Sequence, residues 1–259
     1  MDSAMISKTY LVSGAAKGIG AAVSQKLLSQ GHKVVMLDVD DVALSKLAKA
    51  LAGAYSRQLV SCSFDLRNTG RTQYLIDEIE QEHGPIDGLI CCAGILSLGR
   101  ILDMGIDALA KMMSVNVIGT AALLQAVARH MVTRSQGNIV VIGSNAATTP
   151  RLGMAGYCSS KAALHSLVKN LGLELSQHGI RCNLVSPGST RTEMQTQMWH
   201  DQYTEADTIQ GDQQNYRLGI PLQKLAEPEE IADAALFLLS SKASHITMHD
   251  LRVDGGATL

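Results

Sequence analysis

The amino-acid sequence predicts an α/β fold: one doubly wound, seven-stranded parallel sheet with helices on both faces. Seven short runs rich in β-branched residues alternate with helix-length stretches along the whole chain. Such alternation specifies βαβ units, because right-handed crossovers keep successive strands parallel in one sheet. At 259 residues the chain suits a single large domain that buries about three quarters of its unfolded surface, so neither disulfides nor a structural metal are needed.

Strands are predicted over residues 10–13 (YLVS), 33–38 (KVVMLD), 59–64 (LVSCSF), 88–93 (GLICCA), 138–144 (NIVVIGS), 181–186 (RCNLVS) and 250–253 (DLRV). Their near-continuous apolar character marks strands buried on both faces. Among the helices, 21–29 is amphipathic, while 103–132 and 157–178 are long and apolar on more than one face. No linker, repeat or low-complexity stretch divides the chain, which predicts one domain over 1–259. Residues 195–222 break the rhythm. They are polar, with scattered Met198, Trp199 and Tyr203 and a closing Gly-Ile-Pro step, and are expected to form a substrate flap, the plainer alternative being a surface loop.

A formal net charge of -2 leaves no basic patch to favour nucleic acid or an anionic membrane, so a small-molecule substrate is the expected partner. Residues 1–8 lack the pattern of a signal peptide and no later run approaches a membrane span, which makes a cytoplasmic location the expectation. Cys62, Cys91, Cys92, Cys158 and Cys182 form no CxxC or His/Cys spacing. Reduced thiols and no metal are expected, with Cys91 and Cys92 as small buried strand residues.

After the first strand comes SGAAKGIG, residues 13–20, leading into a helix. Gly14, Gly18 and Gly20 permit a tight turn and close approach of main-chain amides to a pyrophosphate, with Lys17 and Ile19 in the same loop. The second strand ends in Asp38, eighteen residues beyond Gly20. A carboxylate there accepts the ribose hydroxyls of NAD and repels the extra phosphate of NADP, so NAD is the expected cofactor. Lys17 argues mildly the other way, as a cation able to meet that phosphate.

In YCSSK, Tyr157 and Lys161 stand four apart near the start of a helix and share one face. Ser144 ends the fifth strand, at the sheet edge where doubly wound folds bind ligands. Oxidising an alcohol needs a base to take the hydroxyl proton as hydride leaves, and a free tyrosine titrates near 10. An ammonium about 4 Å away supplies roughly 4 kcal/mol at an effective dielectric of 20. The expected roles are Tyr157 as acid/base, Lys161 as its tuner and ribose anchor, and Ser144 as hydrogen-bond partner of the reacting oxygen.

The set formed by GxxxGxG, the acid after strand two, Asp65-Leu66, CAG at 92–94, Asn116 within VNV, Ser144, YxxxK and PGxxxT at 187–192 resembles the short-chain dehydrogenase/reductase family over essentially the whole chain. The resemblance implies a Rossmann-type fold and a proton relay completed by Asn116, with Asp65 on adenine and Thr192 on the nicotinamide carboxamide. It further implies that Leu66, Ala93, Gly94, Pro187, Gly188 and Thr190 border the cofactor. Three departures stand out: Ser13 where Thr is usual, Cys91-Cys92 where paired Asn is usual, and Met248 where Gly often precedes the last strand. The missing Asn side chains put the bracing of that turn in question.

Within the family, TPRLGMAGYCSSKAAL, RCNLVSPGSTRTEMQ, LGIPL and SHITMHDLRVDGG resemble the 2,3-dihydro-2,3-dihydroxybenzoate dehydrogenases of catecholate siderophore biosynthesis. That implies a small anionic dihydrodiol substrate, whose ring aromatises after hydride loss. Arg151, between Ser144 and Tyr157, is the candidate carboxylate clamp, the alternative being an arginine that faces solvent or pairs with the flap. Arg191 is a weaker candidate. Met154, Met194 and Met198 are candidates for an apolar wall, Met194 foremost. Apolar residues on the two long helices, Ala121, Leu124, Ala128, Ala162, Leu164, Leu167 and Leu171, suggest a subunit interface, and the resemblance implies a homotetramer. Another enzyme of the family, such as a 3-oxoacyl reductase or sugar dehydrogenase, would share the cofactor and catalytic residues. An inactive NAD-binding sensor would have lost the Ser, Tyr and Lys set that this chain keeps.

Overall fold

The protein is described by a computed structural model over residues 7–199 and 203–258. Residues 1–6 and 259 of the expected domain, most of the segment tested for a signal peptide, and His200 to Gln202 of the expected flap lie outside the described residues. Strands β1 (Thr9–Ser13), β2 (Lys33–Asp38), β3 (Leu59–Ser63), β4 (Ile86–Cys91), β5 (Asn138–Ile142), β6 (Arg181–Pro187) and β7 (Asp250–Val253) form one sheet in the order β3-β2-β1-β4-β5-β6-β7. Every neighbouring pair is parallel. Seven parallel strands appear where seven were expected. Several end earlier than their apolar runs: Ala93, Gly143 and Ser144 turn out of the sheet to line a cavity. The strand order reverses between β1 and β4, so a crevice opens beyond their carboxyl ends.

The helices are α1 (Gly18–Ser29), α2 (Asp41–Tyr55), α3 (Thr69–His83), α4 (Ile106–Met113), α5 (Thr120–Arg134), α6 (Ala155–Ser176), α7 (Glu193–Thr196), α8 (Glu205–Gln210) and α9 (Pro228–Leu239). Alternate residues of each central strand feed opposite layers. Leu11, Val35, Leu89 and Val141 join Leu123, Leu124, Leu164 and Val168 on one face. Val12, Val34, Ile90 and Val140 join Val23, Leu27, Ile231 and Leu238 on the other.

The helix expected over 103–132 starts at Ile106, because residues 101–103 form a turn, and it is interrupted by a π-helical turn at Ser114–Gly119. Together α4, that turn and α5 make a 29-residue helix containing an 18-residue stretch with a mean hydropathy of 1.3, long and apolar enough by length and composition to cross a membrane. This corrects the expectation that no segment approaches that threshold. Here its inward stripe, including Met112, Asn116, Leu123 and Val127, packs inside the domain. Of the residues ascribed to an interface, Leu124, Ala128 and Leu164 belong to the core and Leu167 and Leu171 pack against it, while Ala121 is half-buried and Ala162 exposed.

Candidate active site

One cavity of about 960 Å³ runs along the crevice. Every cofactor or substrate residue expected from the sequence lines it except Asn116 and the weaker clamp candidate Arg191.

At its β1 end the loop is main chain in close contact. Gly14 has φ +68°, and a Cβ there would stand 2.6 Å from the Ala93 nitrogen; on Gly20 it would meet the Gly14 oxygen at 2.1 Å. The residue capping α1, Lys17, offers no side-chain hydrogen bond to the first turn, whose Gly18, Ile19 and Gly20 line the cavity. An uncapped helix start with free donors fits a pyrophosphate, so these residues suit a dinucleotide. Asp38 is fixed on both oxygens: Oδ2 accepts from the Ala16 amide and Oδ1 from the Asp40 amide, each at 2.9 Å. Lys17 is not a free cation. Its Nζ lies 3.1 Å from Asp40 and 3.0 Å from Glu193, so the loop's one charge that favoured NADP is neutralised. Asp65 receives Arg67 Nε at 2.9 Å, and that guanidinium holds its carboxyl below the usual range.

At the centre, Ser144 follows β5 in extended backbone, and its Oγ caps the next turn by accepting from the Ala146 amide at 3.1 Å. Tyr157 and Lys161 lie in the first turns of α6, both buried. Lys161 Nζ donates to the Ile142 carbonyl at 2.9 Å and sits 5.8 Å from the Tyr157 ring centre. Burial pushes the Tyr157 hydroxyl up to about 12, against the pull of its bond with Ser144, and pushes Lys161 down to about 8. The tuning expected of Tyr157 combines the positive nicotinamide with Lys161; in the free chain burial sets the Tyr157 hydroxyl, and Lys161 does not lower it. Its ammonium is turned to a carbonyl, and desolvation outweighs it.

Asn116 lies behind the cavity wall, fully buried. Its Oδ1 accepts from the Ile95 amide at 2.8 Å, and its Nδ2 donates to the Ile95 carbonyl and to Ser160 Oγ, each at 3.0 Å. The side chain is thus saturated as a brace of the turn after β4, the turn whose bracing Cys91 and Cys92 put in question. Burial raises both thiols, so neither is a ready nucleophile. Met248, at φ +57°, adopts the left-handed backbone that a Gly would favour there.

Sequence reasoning missed a buried support under Ser144. Its amide donates to His165 Nε2 at 3.4 Å, and His165 Nδ1 lies 3.4 Å from Asp250 on β7. A Cβ on Gly143 would stand 2.2 Å from His165, so this packing requires glycine. No local motif signals it, since the partners are far apart in sequence.

At the other end, Arg151 reaches the cavity, and its Nη2 donates to Asn145 Oδ1 at 2.8 Å. Asn145 Nδ2 donates in turn to Asp254 Oδ2 at 3.1 Å. Met154, Met194 and Met198 line the same end. Arg191 does not: it is bidentate to Glu205 at 2.6 and 2.7 Å and meets Glu227 at 2.9 Å, which removes it as a clamp. Arg217 lines the wall and was not anticipated.

A family model described as enoyl-(acyl carrier protein) reductase matches residues 14–258. The chain belongs to the short-chain dehydrogenase/reductase family. This dehydrogenase/reductase is 47% identical over 258 residues, 100% of its length and 98% of the relative's, to the vibriobactin-specific 2,3-dihydro-2,3-dihydroxybenzoate dehydrogenase of Vibrio cholerae. It is 44% identical to the 2,3-dihydro-2,3-dihydroxybenzoate dehydrogenase of Bacillus subtilis, over 97% of this chain and 96% of that one. Among solved structures it is similar to ElxO with NADP bound, at 26% identity and a TM-score of 0.87, covering 97% of this chain and 99% of that one. The match to a dehydrogenase/reductase along the whole chain agrees with the seven-stranded sheet and its crevice.

Proposed function

We propose that this enzyme oxidises 2,3-dihydro-2,3-dihydroxybenzoate to 2,3-dihydroxybenzoate with NAD, in the making of a catecholate siderophore. The observation that carries the reading is a guanidinium, Arg151, in the wall of the cavity that holds Ser144 and Tyr157, in a chain 47% identical to a dehydrogenase of that acid.

Asp38 would hold the adenosine ribose hydroxyls, Asp65 and Leu66 the adenine side, and Gly14, Gly18, Ile19 and Gly20 the pyrophosphate. Ala93, Gly94, Pro187, Gly188, Thr190 and Thr192 would border the nicotinamide half. When bound, the oxidised nicotinamide accepts hydride from the ring carbinol and adds positive charge beside Tyr157. Tyr157, drawn down by that charge together with Lys161, takes the hydroxyl proton, and Ser144 Oγ steadies the same oxygen. Loss of hydride and proton leaves a cyclohexadienone, which tautomerises to the catechol, so aromatisation drives the oxidation forward. Lys161 also reaches the ribose, and Asn116 supports it from behind by holding Ile95 and Ser160. Arg151 holds the carboxylate against Met154 and Met194. NAD is preferred over NADP because the Asp38 carboxylate and the neutralised Lys17 leave no cation for a 2′-phosphate. Residues 195–222 act as the flap, and the enzyme works as a cytoplasmic homotetramer.

The test is absorbance at the NADH band with purified protein, mixing the diol with NAD and separately with NADP, beside Arg151→Ala. Rapid NADH and catechol formation, about tenfold or more weaker in Arg151→Ala, is the expected result. No turnover of the diol, with activity on a neutral alcohol or an acyl thioester, would move the function elsewhere in the family.

A further inference from the structure

The substrate end of the cavity holds a second arginine, Arg217, that this mechanism leaves unused. Two other arginines beside the cavity or its rim are paired, Arg67 with Asp65 and Arg191 with Glu205 and Glu227. Arg151 and Arg217, which line the cavity, form no ion pair among the described residues. Arg151 has one bond, to Asn145, and its buried Nε has no partner. Arg217 donates to the Tyr203 hydroxyl, stands 5.4 Å from that ring, and points Nη2 at the thioether of Met154 at 3.8 Å. Met154 is itself tied to Arg151, its amide donating to the Arg151 carbonyl at 3.2 Å.

The main chain holds Arg217 firmly. Its amide and carbonyl pair with Asp212 at 2.8 and 2.9 Å in a tight hairpin. Gly211 and Gly219, both at φ +86°, pack main chain to main chain at its base, where a Cβ on either would come within 2.6 Å of backbone atoms. The hairpin belongs to the flap segment, whereas Arg151 belongs to the wall. Two like charges brought to one partly buried pocket repel each other, and burial and Arg217 together disfavour the charge on Arg151. An anion between them would remove both costs.

We propose that Arg217 and Arg151 form a two-sided carboxylate subsite, in which Arg217, carried by the flap, makes the enzyme select an acid over the same ring without a carboxylate. This rests on the substrate reading above. Asn145 and Asp254 are positioning residues for the wall side, and Tyr203 for the flap side.

The experiment measures binding of 2,3-dihydroxybenzoate, benzoate and catechol to the full-length chain with NADH, in the parent, Arg217→Gln and Arg217→Lys. Arg217→Gln is expected to weaken both acids about 30-fold and catechol less than about twofold, and Arg217→Lys to recover part of the loss. Turnover of the acid diol should fall in parallel, while the KM for NAD and turnover of the diol lacking a carboxylate stay unchanged. Equal losses for acid and neutral ligands, or no loss for the acids, would overturn the subsite. A parent chain that binds benzoate through Arg217 but does not oxidise the diol would leave the subsite standing and end the substrate reading.

Discussion

The two ends of the cavity are built from different materials. At the cofactor end the contact surface is main chain: glycines pressed against Ala93 and Gly14, and the open first turn of α1. At the substrate end it is long side chains, Arg151 held by Asn145 just upstream and Arg217 set against Met154 from a distant part of the chain. Main chain recognises what every dinucleotide shares, while side chains can be exchanged without disturbing the sheet. The difference teaches where one scaffold is fixed and where it is free to change substrate.

The largest expected effect lies at the junction, on which both ends depend. Tyr157→Phe should lower kcat by about 10³-fold while leaving NADH affinity near that of the parent, because it removes the proton acceptor and no contact with phosphate. Stopped-flow turnover with fluorescence titration checks this, and a kcat within tenfold of the parent would break the assignment. Next, Gly20→Ala should weaken NAD about 100-fold, since the added methyl lands on the Gly14 carbonyl. Benzoate binding to the free chain should survive it, and losing both alike would mean the two ends are not separable. Asp254→Asn should raise KM for the diol about tenfold through Asn145 and Arg151, with KM for NAD unmoved.

The smallest effect is one of pH. Lys161 is held down at about 8, below its ordinary value, so its ammonium is complete below that pH and lost above it. NAD affinity should therefore fall as pH rises through 8, by up to about tenfold at pH 9. Calorimetry on the parent and Lys161→Ala tests this, the variant giving a flat profile.

Legibility in the sequence follows the same division. The seven strands, the glycine loop, Asp38 and the Tyr157-Lys161 pair were readable because each signal is local: a period, a turn, or a spacing of four. The ends of β3, β4 and β5 fall one or two residues before the ends of their apolar runs, because those runs continue into loops that line the cavity, as at Ala93 and Ser144. The clamp was half legible. Arg151 stands between Ser144 and Tyr157, but Arg217 lies in a polar stretch with no period, and only the Asp212 hairpin brings it to the wall. The support from His165 and Asp250 under Ser144 joins a helix to the last strand and carries no motif. Spacing gives the distance from Tyr157 to a charge and not the burial of both groups, so the raised Tyr157 hydroxyl of the free chain carries no signal in the sequence.

The π-helical turn at Ser114–Gly119 also bears on how such a chain tolerates insertions and deletions. A π turn is an α-helix carrying one extra residue. Removing one codon there, for instance that of Val117, would restore the regular helix and rotate one half against the other by about 100°. Either Asn116 would leave Ile95 and Ser160, or Leu123 and Val127 would leave the core. The surplus residue lets one helix satisfy two registers at once, one set by the catalytic brace and one by the sheet. A lineage that lost it would keep a folded helix and forfeit one of the two.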